Sequence, residues 1–220
     1  MPITDFAGRW ALDDGSGSSA QDASGNGHHG TLAGATLPSW IAGRVGSGAL
    51  HFASGATVSI AAITGFAATN VAHTLACWMR VASWIDADVI ICRDNAGSGA
   101  NTLQIRDGLP AVARWGGAIN VQAAVAPSVD AWHHYAWTTA GDGGAGTLYI
   151  DGVAVATDTV FLQTAPIEQI YLSTWNGTDS AFTGDLDEVR FYNRQLTAAE
   201  VAELVQFGAA RLSVHACFLF

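Results

Sequence analysis

The chain has 220 residues, a length typical of one domain; half of them are hydrophobic and 13% are charged, which excludes a disordered polymer. The net charge is −10, and the nine basic residues are all arginines scattered singly, so no basic patch for nucleic acid is visible. The acidic balance suits either cation binding or solubility alone. The N-terminus lacks a secretory signal pattern, and no stretch approaches the roughly 20 apolar residues of a membrane helix.

Short segments rich in β-branched and aromatic residues recur along the chain between breaks of Gly, Asn, Asp and Ser. Many of them alternate apolar and polar residues, as half-buried strands do. Strands at this spacing, without intervening helices, indicate a two-sheet sandwich. Within TLYIDGVAVAT, the pair Asp151-Gly152 predicts a two-residue hairpin turn.

One helix is predicted near the C-terminus. Thr197 is its expected N-cap and Glu200 stands at the third helical position, so TAAE forms a capping box. Gly208 is predicted to end the helix. The apolar stripe of this helix consists of Val201, Leu204 and Val205.

The last stretch, residues 209–220, is apolar to the final residue, whereas chain ends are usually polar and frayed. We therefore divide the chain into a domain of residues 1–208 and an apolar tail of residues 209–220. The tail is expected to complete the sandwich as a strand or to dock onto another subunit, and the sequence leaves both alternatives open.

Cys77, Cys92 and Cys217 are an odd number of cysteines without metal-ligand spacing. Cys77 and Cys92 lie in apolar, strand-like segments, so they are expected to be reduced thiols in the core. The chain is accordingly expected to be made in a cytoplasm, or to be a piece of a longer protein.

Six segments, in this order and spacing, resemble the laminin-G-like branch of the concanavalin A-like lectin/glucanase superfamily over residues 6–207. The resemblance implies an all-β jelly-roll sandwich with one short C-terminal helix and two antiparallel sheets of about six or seven strands each. The segments are WALDDGSGSSAQDASGNGHHGTL, GRVGSGALHF, HTLACWMRV, AWHHYAWT, GTLYIDGVAVAT and FTGDLDEVRFYNRQLTAAEVAEL.

The resemblance also implies a class of functions. Members of this family are mostly binding modules of adhesion proteins, carbohydrate-binding modules, and virion or tail proteins of phages. Many hold a calcium ion, often structural, near the ends of the sandwich. The fold alone does not determine the function.

The stretch DASGN carries two side-chain oxygen donors, Asp22 and Asn26, in a glycine-rich loop. Calcium takes six to eight oxygen ligands, and glycines let a loop turn its carbonyls inward. The pattern favours a structural calcium ion as cofactor. The alternative is a turn in which Asp22 and Asn26 hydrogen-bond to their own backbone.

A second contributor to such a site is expected from GDLDEV near the C-terminus, since the resemblance implies that this strand runs beside the N-terminal one. Asp185 and Asp187 share one face of that strand by alternation, and Asp187 matches the acidic position of the family. Asp14 is a further candidate ligand, with Asp13 beside it. The neighbouring His28 and His29 do not indicate zinc, because no third ligand is close in sequence.

No catalytic site is predicted. The endo-glucanases of the superfamily carry alternating acidic residues on one strand face, but here Asp185 and Asp187 are followed in phase by the apolar Val189. Neither G-x-S-x-G nor H-E-x-x-H occurs. His133 and His134, in AWHHYAWT, are expected to pack or to hydrogen-bond rather than to act as a base.

Aromatic side chains at breaks are the candidates for sugar stacking. Trp175, beside Asn176 and Asp179, is the best candidate platform, and Trp115, before two glycines, is second. The alternative for both is packing over the rim of the sandwich. The tryptophans expected in core or edge packing are Trp10, Trp78, Trp132 and Trp137.

Two functions remain open at this stage. The first is a non-catalytic phage virion surface protein, either capsid decoration or cement or a tail-associated adhesin, which is homo-oligomeric and binds other virion proteins through the tail and host glycans through the sandwich. It would reside on the virion after synthesis in the host cytoplasm. The second is an extracellular carbohydrate-binding module of a larger secreted enzyme or adhesin.

Overall fold

The computed structural model describes residues 3–61, 70–93, 101–114, 118–162, 166–174 and 179–215, with the backbone alone for residues 101 and 207–215. Within these ranges the chain forms sixteen strands and one helix. In chain order they are β1 (Gly8–Trp10), β2 (Ser19–Ala20), β3 (Gly30–Gly34), β4 (Ser39–Ile41), β5 (Ala49–Phe52), β6 (Ala56–Ile60), β7 (Val71–Arg80), β8 (Ala87–Arg93), β9 (Asn101–Arg106), β10 (Leu109–Arg114), β11 (Ile119–Gln122), β12 (His133–Gly141), β13 (Ala145–Ile150), β14 (Val153–Thr159), β15 (Gln169–Ser173), β16 (Gly184–Tyr192) and α1 (Ala198–His215).

The strands form two antiparallel sheets of eight strands each, which confirms the predicted all-β sandwich and corrects the expected six or seven strands per sheet. The first sheet has the order β14-β13-β12-β7-β16-β5-β4, with β1 paired to β16 beside this path. The second has the order β11-β10-β9-β8-β15-β6-β3-β2. As the resemblance implied, the strand that carries GDLDEV lies beside the N-terminal strand.

Strand β16 shows how alternation builds the core. Leu186, Val189 and Phe191 are fully buried in the cluster between the two sheets, whereas Asp185 and Asp187 take the outer face of the first sheet. A bulge between Asp187 and Arg190 shifts the register against β7 and re-aims the following side chains. The prediction that Asp185 and Asp187 share a face is thereby confirmed.

Helix α1 covers part of that outer face. Its capping box is confirmed: Glu200 N–H donates to Thr197 Oγ1 at 3.3 Å, and Thr197 N–H donates to Glu200 Oε2 at 2.8 Å. The predicted end at Gly208 was wrong, because the helix continues to His215 and so takes in the first part of the expected tail. The apolar cluster under the helix consists of Ala76, Ala136, Tyr149, Tyr192, Leu196, Val201 and Leu204.

Other local predictions can be compared directly. Asp151 and Gly152 both have positive φ, 50° and 81°, and join β13 to β14 in the predicted hairpin. Cys77 and Cys92 are buried free thiols, as expected, and burial raises the pKa of both. Cys217 lies outside the described residues. In the part of the chain that the structure describes, no helix has the length and apolarity needed to cross a membrane.

Of the four tryptophans expected in core or edge packing, three are buried and one is half-buried. Trp10, Trp78 and Trp137 are buried, and Trp132, immediately before β12, is half-buried. Trp10 also donates its indole N–H to the carbonyl of His28 at 2.7 Å. The interpretation of these four as core or edge residues is therefore confirmed.

Candidate functional site

An open pocket of about 460 Å³ lies on the outer face of the first sheet, where β5, β16 and β7 are neighbours. Its walls combine polar side chains with a few small apolar ones. The lining residues are Ile41, Ala42, His51, Arg80, Ala82, Asp130, Thr183, Gly184 and Asp185.

Three residues on adjacent strands form the floor of this pocket. Asp185 on β16 is the register partner of His51 on β5 and of Arg80 on β7, so the three side chains stand in one row across the sheet. Asp185 Oδ1 accepts a hydrogen bond from His51 Nδ1 at 2.7 Å, and Oδ2 accepts one from Arg80 Nε at 2.6 Å. We call this set the polar row.

In the polar row the carboxylate is buried, whereas the imidazole and the guanidinium are partly exposed to solvent. The side chain of Asp185 is 9% exposed, against 42% for His51 and 37% for Arg80. The guanidinium of Arg80 also lies over the ring of Trp132, with Cζ 5.0 Å from the ring centroid. The hydrogen bond from Nε to Asp185 and the contact with Trp132 together hold the guanidinium of Arg80 in a fixed position at the pocket.

The polar row was mostly missed by the sequence reasoning. Asp185 was noted only as a companion of Asp187, and His51 and Arg80 were not singled out. Alternation would have turned His51 outward between Leu50 and Phe52, both of which are buried. The missing information was the register, since the three residues come from distant parts of the chain.

Of the predicted sugar-binding residues, the structure describes Asp179. Trp175, Asn176 and Trp115 lie outside the described residues. Asp179 is exposed in a turn.

The structure places Asp22 at the centre of a hydrogen-bonded loop. Its Oδ1 accepts the backbone N–H groups of Arg9 (3.1 Å) and Ser24 (2.9 Å). Its Oδ2 accepts the Ser24 hydroxyl at 2.8 Å and the His28 N–H at 3.0 Å. Burial alone would raise the pKa of Asp22, but the hydrogen bonds from Ser24, Arg9 and His28 outweigh it and hold the pKa below its usual value.

The two other candidates from the N-terminal segment have separate partners. Asn26 donates its side-chain amide to the carbonyls of Phe6 (3.3 Å) and Ala7 (3.0 Å). Asp14 accepts the backbone N–H of Gln21 at 3.2 Å in an exposed position. Asn26 therefore ties its loop to the segment before β1, and Asp14 ties its loop to the residue that follows β2.

Asp187 is buried under a third loop. Its Oδ2 accepts the backbone N–H groups of Arg44 (2.7 Å) and Val45 (2.8 Å), while its Oδ1 is buried without a hydrogen-bond partner. Burial, helped by the neighbouring carboxylates of Glu188 and Asp13, outweighs the hydrogen bonds from the loop and raises the pKa of Asp187 to about 7.

These positions test the fit of a calcium ion. Among the described residues no group of three or more His, Cys, Asp or Glu could hold a metal ion. The carboxylate of Asp22 already accepts four hydrogen bonds, three from backbone N–H groups and one from the Ser24 hydroxyl. A cation there would face these donors instead of free oxygens. The side-chain geometry of the described residues therefore does not fit calcium at the four predicted ligands.

The acidic residues of β16 are likewise engaged. Glu188 forms two salt bridges, from Oε1 to Arg9 Nη2 at 2.6 Å and from Oε2 to Arg190 Nη2 at 3.1 Å. Its side chain is 1% exposed. Val189, which simple alternation would place on the same face as Asp185 and Asp187, is turned into the core by the bulge. The strand therefore presents no exposed pair of carboxylates of the kind that retaining glycoside hydrolysis uses.

The family model for the laminin-G-like part of the concanavalin A-like lectin/glucanases superfamily matches residues 52–202. No curated protein sequence matches the chain. Several solved structures have the same fold at low sequence identity.

Domain 4 of AbnA, a GH43 extracellular arabinanase from Geobacillus stearothermophilus, in complex with arabinotriose, matches with a TM-score of 0.67 and 20% identity over 91% of this chain and 98% of that domain. The binding domain of Paraclostridial Mosquitocidal Protein 1 matches with a TM-score of 0.70 and 18% identity, over 91% of this chain and 52% of that one. A mutant Trypanosoma rangeli sialidase displaying trans-sialidase activity matches with a TM-score of 0.67 and 15% identity, over 93% of this chain and 33% of the sialidase chain.

At these sequence identities the similarity to solved structures shows the fold alone. The family match covers β7 and β16, which carry Arg80 and Asp185, begins at the last residue of β5, just after His51, and extends into helix α1. The chain belongs to the concanavalin A-like lectin/glucanase superfamily, in its laminin-G-like branch.

Proposed function

We propose that this protein is a glycan-binding module that holds its ligand in the pocket over the polar row. The observation that carries the proposal is the fixed row of His51, Asp185 and Arg80 at the floor of an open pocket. Fold relatives that are binding domains, and one domain solved with arabinotriose, support this class of ligand.

The chemistry of the pocket suits a neutral, hydroxyl-rich ligand. Sugar hydroxyls both donate and accept hydrogen bonds, and the pocket offers carboxylate acceptors on Asp185 and Asp130 with guanidinium and imidazole groups on Arg80 and His51. Two carboxylates stand beside one guanidinium and one imidazole, so a strongly charged ligand would find no large excess of opposite charge. Such a module binds glycans without cleaving glycosidic bonds.

The test is a glycan array followed by calorimetric titration of the sugars that bind. Arg80→Ala removes the exposed guanidinium, and Asp185→Asn removes the charge that orients both partners. Each is expected to weaken binding about tenfold or more, because a hydrogen bond between a charged group and a sugar hydroxyl contributes about 1.5–3 kcal/mol. Asp158→Asn, on edge strand β14 at the other side of the sheet, is the matched control and should bind as the unaltered protein does.

Unchanged glycan binding by both pocket variants would contradict the pocket assignment and would make Trp175 the next residue to substitute. A folded protein that binds no glycan on the array would contradict the binding proposal itself.

The finer role of a phage virion surface protein, with its oligomerisation, virion partners and location, stays a prediction from the sequence. So does the alternative of a module from a larger secreted enzyme or adhesin. Removal of residues 209–220 tests the first: it should abolish assembly while the sandwich stays folded, and an unchanged oligomeric state would contradict docking through the tail.

Calcium stabilisation stays a prediction from the sequence alone, and the hydrogen bonds that Asp22 already accepts argue against it. The array is best run in calcium and again in EDTA, with melting temperatures measured under both conditions. A higher melting temperature in calcium would support a bound ion, and equal temperatures would contradict it.

A further inference from the structure

A serine, a histidine and an aspartate form a continuous hydrogen-bonded chain at the start of β12. Ser128 Oγ lies 2.9 Å from His133 Nε2, and His133 Nδ1 lies 2.6 Å from Asp151 Oδ2. The serine is in the loop before the strand, and the aspartate is in the hairpin turn between β13 and β14. Each of the two ring nitrogens thus has one oxygen partner.

The chemistry of the partners assigns the direction of these hydrogen bonds. An ionised carboxylate accepts only, so Nδ1 of His133 carries the proton that it donates to Asp151. In the neutral ring, Nε2 is then the acceptor, and the hydroxyl of Ser128 donates to it. This is the arrangement in which a histidine can remove the proton of a serine as the serine attacks.

The carboxylate that orients the ring is itself held in place. Asp151 Oδ1 accepts the backbone N–H of His134 at 2.8 Å, and the N–H of Asp151 donates to the carbonyl of His134 at 2.8 Å. The residue has a φ of 50° in a tight turn with Gly152. The turn and the strand therefore fix the position of the carboxylate relative to His133.

We propose that Ser128 is a nucleophile for acyl transfer, with His133 as its general base and Asp151 as the positioning residue, and that the substrates are short-chain carboxylic esters of hydroxyl-rich compounds. This goes beyond the proposed binding function, which involves no chemistry. Ser128 is exposed and His133 is half-buried, so a small ester can reach both. The backbone of Ser128 lies within about 7 Å of that of Asp130, which lines the pocket.

The reaction balances without a further reactant besides water. Ser128 Oγ attacks the ester carbonyl carbon while its proton passes to His133 Nε2. The bond from that carbon to the alcohol oxygen breaks, and the alcohol leaves with the proton. Water then attacks the acyl group on Ser128, one water proton passes through His133 back to Ser128 Oγ, and the carboxylic acid is released.

The test measures the nucleophile directly. The full chain is treated with a fluorophosphonate, the modified residue is located by peptide mass spectrometry, and hydrolysis of p-nitrophenyl acetate is followed. We expect the label on Ser128, and we expect Ser128→Ala and His133→Gln to reduce hydrolysis by about a hundredfold, the range of general-base assistance. Ser16→Ala, an exposed serine in another loop, is the matched control and should keep both label and rate.

Asp151 is tested by a pair of variants. Asn accepts positive φ well and should preserve the hairpin, so Asp151→Asn isolates the loss of the carboxylate. We expect it to lower kcat with KM unchanged, and Asp151→Glu to restore part of the rate. No label on Ser128, or equal hydrolysis by wild type and Ser128→Ala, would overturn the proposal. Glycan binding by Ser128→Ala is expected to be unchanged, so the two proposals fail independently.

Discussion

Asp187 accepts the backbone N–H of Val45 at 2.8 Å across 142 positions of the chain, and that of Arg44 at 2.7 Å through the same oxygen. This contact ties the loop after β4 to the central strand of the first sheet. The second carboxylate oxygen is buried without a partner, and burial raises the pKa of Asp187 to about 7. The side chain therefore retains a proton in the folded protein at pH values where it has lost it in the unfolded chain.

The first prediction concerns the effect of this proton on stability. Between the ordinary pKa of 3.8 and the folded value of about 7, the folded state binds the extra proton, so stability falls as the pH rises through this range. The slope is at most about 1.4 kcal/mol per pH unit. Asp187→Asn keeps an oxygen for the two N–H groups and should remove this slope. Urea denaturation from pH 4 to pH 8 gives the comparison, and parallel pH profiles for the two proteins would contradict the assignment.

The second prediction concerns His134, which is buried against the edge of Trp78 with ring centroids 5.3 Å apart. Burial, and then the charge of Arg190, lower the pKa of His134 to about 3. A histidine with a lowered folded pKa contributes stability that is complete above pH 6.5 and is lost as the pH falls toward 3. This direction is opposite to that of Asp187.

His134→Phe keeps a ring against Trp78 and removes the titrating group. We expect the variant to lose less stability than the wild type when the pH falls from 6.5 to 4, as measured by thermal unfolding. The buried His73, whose pKa burial lowers to about 4, supplies a residual slope in both proteins. An equal acid response of the Phe variant would show that His134 does not titrate as described.

The third prediction concerns the capping box of helix α1. Thr197→Ala removes the hydroxyl that accepts the N–H of Glu200, and should lower the free energy of unfolding by about 1 kcal/mol. Thr197→Ser keeps the hydroxyl and should cost clearly less. Denaturant unfolding distinguishes them, and equal losses for Ala and Ser would mean that the hydroxyl does not cap the helix.

The helix also shows where sequence reasoning succeeds and where it stops. Thr197 and Glu200 were predicted because a capping box is local and its hydrogen bonds span three residues. The predicted end at Gly208 was wrong. Glycine ends a helix only when the residues after it leave the helical conformation, and here those residues stay helical to His215. Local patterns predict where elements begin better than where tertiary packing lets them continue.

The candidate site depended on information that local patterns do not contain. Alternation correctly placed Asp185 and Asp187 on one face, and hydrophobic residues such as Leu186 in the core. The partners of Asp185, which are His51 and Arg80, follow from the pairing of three strands far apart in sequence. Ser128, His133 and Asp151 likewise meet through a loop and a turn, without a sequence motif.

The fourth prediction distinguishes the two interpretations of the loop that carries Asp22. If Asp22 organises the turn through its four accepted hydrogen bonds, Asp22→Ala leaves these donors without their acceptor and should lower the free energy of unfolding by about 1–3 kcal/mol, equally in calcium and in EDTA. Asp14→Ala, which removes one exposed hydrogen bond, is the matched control and should cost less than about 0.5 kcal/mol.

A calcium ion would produce a different pattern in the same measurement. The unaltered protein would be more stable in calcium than in EDTA, and both Asp22→Ala and Asp14→Ala would reduce that difference, because binding to the folded state adds stability in proportion to the logarithm of ligand concentration. The low pKa of Asp22 gives an independent check. Without calcium, the contribution of Asp22 to the free energy of unfolding should disappear as the pH falls below the ordinary pKa range of a carboxylate. We expect the calcium-independent pattern, since the carboxylate is already bound by the loop that it holds.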